Sequence, residues 1–342
     1  MNRPQLSVCI CGGGNLGHVV AGFLAAKGGC RVSLLTRSPE RWHRQLTIST
    51  PDGTVLEGTL DMITAQAEAV IPQADLVLLC MPGFSIRETL LHIKPFLRRD
   101  TAVGSIVSST GFFFEAIELL PSTPLFGFQR VPFIARTTVY GRAASLLGYK
   151  PTLSVAVEQA ADKEQLRALI EQLFATPTAL LTNHYEASLT NSNPLLHPSR
   201  LYTMWKDWHE GVVYPEQTLF YEAWTDEASE LLIAMDKEFF RLLRALKVRA
   251  GSIPTILDYY ESTDAPSLTR KLHSIQAFKG ILSPMTAVEG GFIPDFHSRY
   301  FTEDFPYGLR IVCQQAQRHH VDTPVLNRVL EWGIASMPQT GE

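Results

Sequence analysis

A glycine-rich turn between two apolar segments constrains the fold of this chain more than any other feature. The segment 6–12 (LSVCICG) is rich in strand-forming residues, 12–28 (GGGNLGHVVAGFLAAKG) turns helical after its glycines, and 30–37 (CRVSLLTR) is a second apolar run. This order and length are typical of a strand, helix, strand crossover. The pattern predicts the beginning of a parallel sheet that is covered by helices.

Three glycines of this turn, Gly12, Gly14 and Gly17, fit the spacing GxGxxG. Such glycines allow a tight turn, let a pyrophosphate approach the backbone, and let the helix pack closely on the strand. The helix N-terminus then offers free N–H groups to the phosphates. Glycines also cluster in ordinary turns, but the flanking strand, helix and strand favour a dinucleotide-binding site here.

The residue that follows the second strand bears on the choice of cofactor. Arg37 stands where an NAD site usually has an acidic residue, and Thr36 and Ser38 flank it. This setting favours binding of the 2′-phosphate of NADP. Arg37 could equally be an ordinary solvent-exposed residue at the end of a strand, so NAD is not excluded as the cofactor. The predicted cofactor-binding residues are Gly12, Gly14, Asn15, Leu16, Gly17, Arg37, Ser38 and Pro82.

The length of 342 residues predicts two domains. We expect an α/β Rossmann dinucleotide-binding domain over 1–183 and an all-α substrate domain over 184–342, where the apolar period becomes helical. The clearest helical pattern covers 225–248, with Thr225 or Asp226 as its cap, and Thr323 is the expected cap of the last helix.

Composition argues against several classes of partner. The net charge is −4 and no run of Lys and Arg exceeds two residues, so neither nucleic acid nor a membrane is an expected partner. The five cysteines lack metal-ligand spacing, and no metal site is predicted. An odd cysteine count, no recognisable leader and no apolar stretch of about 18 residues favour a cytoplasmic protein.

Two segments of the second half carry candidate chemistry. His197 lies in 191–200 (NSNPLLHPSR), and the prolines on both sides make the interior of a long regular element an unexpected place for it. From this context alone, a structural and a catalytic role are equally open. The segment 298–309 (SRYFTEDFPYGL) is compatible with a capped, solvated loop, or with an anion clamp plus a carboxylate that orients an imidazole.

These two segments, together with the glycine motif and the helical segment 220–248, resemble the octopine/nopaline dehydrogenase family, the opine dehydrogenases, over essentially the whole chain. The resemblance implies a helical second domain like the C-terminal domain of 6-phosphogluconate dehydrogenase. It also implies that His197 donates and accepts the catalytic proton, that Asp304 is its partner, and that Arg299 binds a substrate carboxylate. We place Asn191, in the motif of His197, among the substrate-binding residues.

The activity that the resemblance implies is the NAD(P)-dependent, reversible reductive condensation of an amino acid with a 2-oxo acid. A homodimer is compatible with the apolar helical half. One alternative is a reductase of the same architecture, similar to ketopantoate reductase or glycerol-3-phosphate dehydrogenase, in which Lys206 would stand in for the lysine of those enzymes. A non-catalytic dinucleotide sensor is the other alternative.

Overall fold

The strand, helix, strand unit expected near the start of the chain is present in the computed structural model, which describes residues 5–338. Strand β1 covers Leu6–Cys11, helix α1 covers Asn15–Lys27 and strand β2 covers Cys30–Leu35. The two strands pair in parallel, in register from Leu6 opposite Cys30 to Cys11 opposite Leu35. The predicted crossover is confirmed.

The chain divides into two units, the first ending at Thr190 and the second beginning at Asn191. The predicted boundary after residue 183 lies earlier than this division. A short helix over His184–Ser188 accounts for the difference, because it packs on a strand of the first unit and its first backbone N–H donates to the carboxylate of Glu158. The change of the apolar pattern from strand-like to helical near residue 184 therefore marks the beginning of a helix and not the boundary between the two units.

The first unit is built from strands and short helices. After β2 its strands are β3 (Gln45–Ser49), β4 (Val55–Thr59), β5 (Met62–Thr64), β6 (Leu76–Leu79), β7 (Ala102–Ser105), β8 (Leu125–Phe128), β9 (Phe133–Val139), β10 (Ala143–Tyr149), β11 (Leu153–Glu158) and β12 (Thr178–Leu180). After α1 its helices are α2 (Ala67–Val70), α3 (Ile86–Ile93), α4 (Phe112–Leu119), α5 (Lys163–Phe174) and α6 (His184–Ser188).

Eight of these strands form one sheet in the order β12-β11-β8-β7-β6-β1-β2-β5. Neighbours are parallel except β8 and β11. From β1 the chain leads to β2 on one side and later to β6 on the other, so the strand order reverses at β1. In such sheets the carboxyl ends of the strands at this switch point form the ligand-binding edge. The Rossmann architecture is thus present as predicted.

A second sheet of four strands, in the order β4-β3-β10-β9, was not expected from the sequence. It packs on α1, where two glycines allow close approach. A Cβ atom at Gly22 would lie 2.5 Å from Cγ1 of Ile48, and one at Gly58 would lie 2.5 Å from the carbonyl oxygen of Gly22. The hairpin of β9 and β10 in this sheet also packs on α1, the helix that follows the glycine motif.

The second unit is mainly helical, as expected. Its helices are α7 (Asn193–Trp205), α8 (Asp226–Ala245), α9 (Ile256–Tyr259), α10 (Ala265–Ser274), α11 (Arg299–Thr302), α12 (Arg310–Arg318) and α13 (Pro324–Ser336), with a π-helical turn over Phe305–Leu309. It also contains an antiparallel hairpin, β13 (Met285–Val288) with β14 (Gly291–Pro294), which the sequence analysis did not predict.

Of the two helix caps predicted from the sequence, that of α8 is present and that of α13 is not. Thr225 caps α8, its side chain accepting from the N–H of Ala228. Thr323 precedes α13 but makes no side-chain capping bond. The buried carboxylate of Glu238 on α8 replaces it, accepting from the N–H groups of Val325 and Leu326 at 3.2 and 2.9 Å. A carboxylate 87 residues away cannot be found from a capping pattern in the sequence.

His197 lies inside a regular element, contrary to the expectation drawn from its prolines. Pro194 stands at the start of α7, where its missing N–H costs nothing, and Pro198 removes one backbone bond from within the helix. Every residue from Pro194 to Leu201 is buried, so packing stabilises the helix through Pro198. The imidazole is therefore presented from a buried helix rather than from a loop.

Two further observations bear on environment. Within residues 5–338, no helix is long and apolar enough to cross a bilayer. All five cysteines carry free thiols and are buried.

Candidate active site

The glycine motif forms the turn from β1 into α1. Gly12 has a φ of +115°, a conformation that residues with side chains rarely adopt, and a Cβ there would collide with the carbonyl oxygen of Cys80, directly after the neighbouring strand β6. A Cβ at Gly17 would collide with the carbonyl oxygen of Gly12. These two glycines allow the tight turn and the close packing of helix on strand that the motif predicts.

Gly14 differs from these two because it faces open space. A Cβ at Gly14 would meet no atom of the described residues within 4 Å. Gly14 is also the N-cap of α1, without a side-chain capping bond, and the first turn of the helix has no acidic residue. The first backbone N–H groups of α1, which include those of Asn15 and Leu16, have no partner within the helix, and an anion at a helix N-terminus is the kind of group that they bind.

The other predicted cofactor residues follow neighbouring strands of the same sheet. Arg37 and Ser38 follow β2, and Pro82 follows β6. Because these strands are parallel to β1, all three residues lie at the sheet edge that carries the glycine turn. Arg37 is exposed, and no carboxylate of residues 5–338 forms an ion pair with it. The sheet thus brings the predicted cofactor residues to one edge and leaves a cation there.

His18 supports the glycine turn and was missed by the sequence reasoning. Its Nδ1 donates to the carbonyl of Gly14 at 2.9 Å, and its Nε2 accepts from the N–H of Gly141 at 2.7 Å. The ring stacks on Trp42 with centroids 4.0 Å apart. Burial lowers the pKa of His18, against a smaller opposing effect of the bond to Gly14, which suits a neutral ring with one donor and one acceptor.

The second cluster, in the helical unit, is centred on His197. The Nδ1 atom of His197 lies 2.7 Å from Oδ2 of Asp304, a distance typical of a charge-assisted hydrogen bond. Both side chains are buried or nearly so. The residues are 107 positions apart, so the fold of the unit and not a local motif brings them together. Asp304 fixes the tautomer with a proton on Nδ1 and would stabilise an imidazolium.

A third side chain completes this cluster. The hydroxyl of Tyr221 lies 2.9 Å from Nε2 of His197, and the ring of Tyr300 meets the imidazole edge-on at 4.7 Å. Tyr221 was also missed, because it lies in an irregular segment that carries no motif. We name the hydrogen-bonded set His197, Asp304 and Tyr221 the imidazole triad.

Arg200, one turn after His197 on α7, holds the segment that carries Tyr221. Its guanidinium donates to the backbone carbonyls of Phe220 and Ala223. Burial lowers the pKa of Arg200 to about 10, so this cation is tied to backbone carbonyls rather than to solvent. Helix α7 therefore positions both the imidazole and the phenol that is bonded to it.

The two predicted substrate-binding residues lie near the triad in sequence. Arg299 begins α11, five residues before Asp304, and its side chain is 85% exposed with a weak 3.7 Å contact to the carboxylate of Glu303. Asn191 accepts from the N–H of Asn193 at the start of α7. The structure thus shows a largely free guanidinium at Arg299 and a local side-chain to backbone hydrogen bond at Asn191.

Metal chemistry has no evident ligand set here. In the part of the chain that the structure describes, no group of three or more His, Cys, Asp and Glu side chains is placed to hold a metal ion.

A dinucleotide turn in an α/β unit, together with a carboxylate-oriented imidazole in a helical unit, defines the class of nicotinamide-dependent oxidoreductases.

Comparisons with known proteins identify the family within this class. The model of the NAD/NADP octopine/nopaline dehydrogenase alpha-helical domain matches residues 180–337, and that of ketopantoate reductase PanE/ApbA matches residues 8–111. Octopine dehydrogenase of Pecten maximus is 28% identical over 96% of this chain and 89% of its own length. An uncharacterized protein, y4xO, of Sinorhizobium fredii is 30% identical over 96% and 94%.

Solved structures agree with this assignment. The structure of octopine dehydrogenase with NADH and L-arginine superimposes with a TM-score of 0.85 at 26% identity, covering 96% of this chain and 89% of that one. The chain belongs to the opine dehydrogenase family, as its resemblance predicted.

Proposed function

We propose that this protein is an NAD(P)-dependent opine dehydrogenase, which reductively condenses an amino acid with a 2-oxo acid to an N-(carboxyalkyl) amino acid and catalyses the reverse reaction. The observation that carries the proposal is the imidazole of His197, held through Nδ1 by Asp304, in a chain that also has an open dinucleotide turn. Family membership supplies the reaction class, an oxidoreductase acting on a CH–NH group.

The ligands of related structures support the two substrate classes. Octopine dehydrogenase has been solved with NADH and L-arginine and with NADH and pyruvate, at 26% identity to this chain in both cases. An amino acid and a 2-oxo acid are thus substrates that fit the family. Each carries a carboxylate, and the exposed guanidinium of Arg299 is suited to bind one in a planar, two-oxygen contact.

In the proposed reaction, His197 and Asp304 handle the proton, and the hydride is transferred by the cofactor. A nicotinamide cofactor, when bound, supplies the hydride for synthesis and accepts it in the reverse direction. His197 manages the proton at Nε2, because Asp304 holds Nδ1. The carboxylate of Asp304 stabilises the imidazolium that forms when Nε2 is protonated. Positioned acid–base catalysis of this kind contributes about 10² to 10⁴ in rate.

Arg299 binds a substrate carboxylate in this proposal, and Asn191 makes a polar contact with the substrate. Their present contacts do not oppose these roles. The Arg299–Glu303 contact is long, at 3.7 Å, and its guanidinium is exposed, so it contributes about 0 to 1 kcal/mol. A substrate carboxylate can therefore replace Glu303 at little energetic cost.

We further propose a preference for NADP over NAD. The support is the exposed Arg37, a cation without a carboxylate partner among the described residues, beside Ser38 at the edge that carries the glycine turn. A 2′-phosphate would neutralise this guanidinium, whereas a free ribose diol would not. The homodimer and the cytoplasmic location inferred from the sequence stay predictions.

Lys206 is not placed as the lysine of a ketopantoate reductase would need to be. Its ammonium lies 3.3 Å from the carboxylates of both Asp207 and Glu227. Hydrogen bonds to these two carboxylates raise the pKa of Lys206, so the amine stays protonated and engaged at the surface. The geometry thus favours His197 over Lys206 as the acid–base group.

A substrate panel tests the proposed function. The purified protein is incubated with NADPH or NADH, and amino acids are crossed with pyruvate, 2-oxoglutarate and oxaloacetate while cofactor absorbance is followed. Opine chemistry requires that oxidation depend on both an amino acid and a 2-oxo acid. Oxidation with a 2-oxo acid alone would indicate a simple ketoacid reductase, and cofactor binding without any oxidation would indicate a sensor.

A further inference from the structure

Both ring nitrogens of His197 have protein partners. Asp304 accepts from Nδ1, and the hydroxyl of Tyr221 lies on Nε2. With the ring proton on Nδ1, Nε2 of the neutral imidazole is an acceptor, so the Tyr221 O–H donates to it. The nitrogen that would exchange a proton with substrate is thus already bonded to a phenol.

The ring of Tyr221 is firmly packed. The residue is only 4% exposed. Its ring stacks on Phe278 with centroids 3.9 Å apart and an angle of 13°, and it lies parallel to Trp224 at 6.2 Å. Arg200 holds the flanking backbone. Moving the hydroxyl away from Nε2 would break this packing, so transfer of a proton through the hydroxyl is the simpler route.

The chemistry of this hydroxyl suits transfer. Burial raises the pKa of Tyr221 well above its ordinary value, and Tyr300, Tyr260 and Asp304 add to the effect, so the phenol stays protonated. A neutral phenol donates one hydrogen bond and accepts others. Among residues 5–338 the structure gives this hydroxyl one hydrogen-bond partner, His197, which leaves it capacity for a second.

We propose that Tyr221 is a catalytic proton relay between Nε2 of His197 and the substrate oxygen that leaves as water. The inference rests on the proposed function, in which the amine adds to the 2-oxo acid and the resulting carbinolamine must lose its hydroxyl. When His197 is protonated, Nε2–H donates to the phenol oxygen, and the phenol O–H is then directed at the leaving oxygen.

The step is balanced without any further reactant. The Nε2–H bond of His197 breaks as a new O–H bond forms on Tyr221. The original phenol O–H bond breaks as its proton is transferred to the carbinolamine oxygen. The C–O bond then breaks, water leaves and the iminium forms, while Tyr221 ends as a neutral phenol. The reverse sequence deprotonates the water that attacks the iminium during oxidation.

The test is Tyr221→Phe, which deletes the relay oxygen and keeps the ring that stacks on Phe278. The matched control is Tyr300→Phe, the same deletion in a second phenol whose ring also contacts His197 but whose hydroxyl is on neither ring nitrogen. Both changes are also made in a His197→Ala background. Thermal melting confirms that each variant is folded, and kcat is measured for the most active substrate pair.

A relay predicts that Tyr221→Phe lowers kcat about 10- to 100-fold, because an acid–base contribution is lost. Tyr300→Phe stays within about threefold of wild type. In the His197→Ala background, Tyr221→Phe has no further effect, because a relay without its proton source contributes nothing.

Two results overturn the relay in an active enzyme: a Tyr221→Phe variant within about threefold of wild type, or an equal loss with and without His197, which is the behaviour of a purely structural residue. A wild-type protein that oxidises no reduced cofactor with any substrate pair is a different failure. It contradicts the proposed function itself, and the relay with it.

Discussion

The cofactor turn and the imidazole triad are built in opposite ways. The residues of the turn lie close together in sequence, and adjacent parallel strands bring Arg37 and Pro82 to the same edge. The triad joins side chains 24 and 107 positions apart through the packing of helices. The cofactor turn depends on backbone conformation and on the open space beside Gly14, whereas the imidazole triad depends on hydrogen bonds between buried side chains.

This difference teaches which substitutions separate binding from chemistry. In the proposed function, a change at the turn acts on the cofactor through the space available to its phosphates. A change in the triad is expected to act on proton transfer and to leave that space unaltered. Each variant below is paired with a control at a position outside both regions, so that the two regions can be tested separately.

The largest effect is expected at His197. His197→Ala removes the acid–base group, and we expect kcat to fall by about 10² to 10⁴ while the Kd of NADPH changes less than about twofold. Steady-state kinetics and a fluorescence titration measure the two quantities. His209→Ala, an exposed histidine of the same unit, serves as control. Equal kcat values for these two variants would remove His197 from the mechanism.

Gly14→Val tests the turn. The backbone at Gly14 is extended, with φ −82° and ψ −174°, so valine is accommodated without strain, but its side chain occupies the space expected for the pyrophosphate. We expect the Kd of the cofactor to rise about tenfold or more. Gly148→Ala on β10, where a Cβ makes only ordinary contacts, is the control. Unchanged cofactor affinity in a folded Gly14→Val protein would contradict the assignment of the turn.

Arg37→Ala sharpens the choice of cofactor. Losing one charged contact to a 2′-phosphate corresponds to about 1 to 2 kcal/mol, so we expect the ratio of kcat/KM for NADPH to that for NADH to fall about 5- to 30-fold. Arg99→Ala removes an exposed arginine from the loop before β7, at the opposite edge of the sheet, and should leave the ratio unchanged. A wild-type preference for NADH, or the same ratio in both variants, would argue against the proposed role of Arg37.

The smallest effect concerns stability alone. Asp236 on α8 is buried, and burial raises the pKa of its carboxyl from the ordinary value to about 6, although the N–H of Ile256 donates to it. A carboxyl whose pKa is raised in the folded state is most stabilising when protonated, and this contribution is lost as the pH rises through 6. Asp236→Asn keeps an acceptor for Ile256 without the buried charge.

We therefore expect Asp236→Asn to stabilise the protein by about 1 to 3 kcal/mol above pH 7 and by close to nothing near pH 4. Denaturant unfolding at several pH values measures this difference. Glu230→Gln removes an exposed carboxylate from the same helix and should show no such trend. A stabilisation that does not depend on pH would show that the charge is not its cause.

The sequence predicted the first region well and the second only in part. The glycine spacing and its flanking strands were sufficient for β1, α1 and β2, because all of these contacts are local. The four-stranded sheet was missed because β3 pairs with β10, joining Thr47 to Ala143, and no local pattern indicates such a partner. His18 could have been noticed one turn after Gly14 on the same helix.

In the triad, the contact of His197 with Asp304 was expected from family resemblance, and the structure places the two side chains together. Tyr221 was not expected, since its role depends on the packing of an irregular segment against α7. The prolines beside His197 were misleading for a related reason. Burial of the whole segment 194–201 stabilises the helix through Pro198, and the burial of a segment depends on distant residues.

The most direct test of the account follows the hydride into the product. The protein is incubated with its most active amino acid and 2-oxo acid pair and with reduced cofactor that carries deuterium at both C4 positions, and the products are identified by mass spectrometry. The account predicts a secondary amine at the mass of the condensate, carrying one deuterium on the carbon that was the oxo carbon. Deuterium found instead in the 2-hydroxy acid derived from the oxo acid, with the amino acid unchanged, would contradict it.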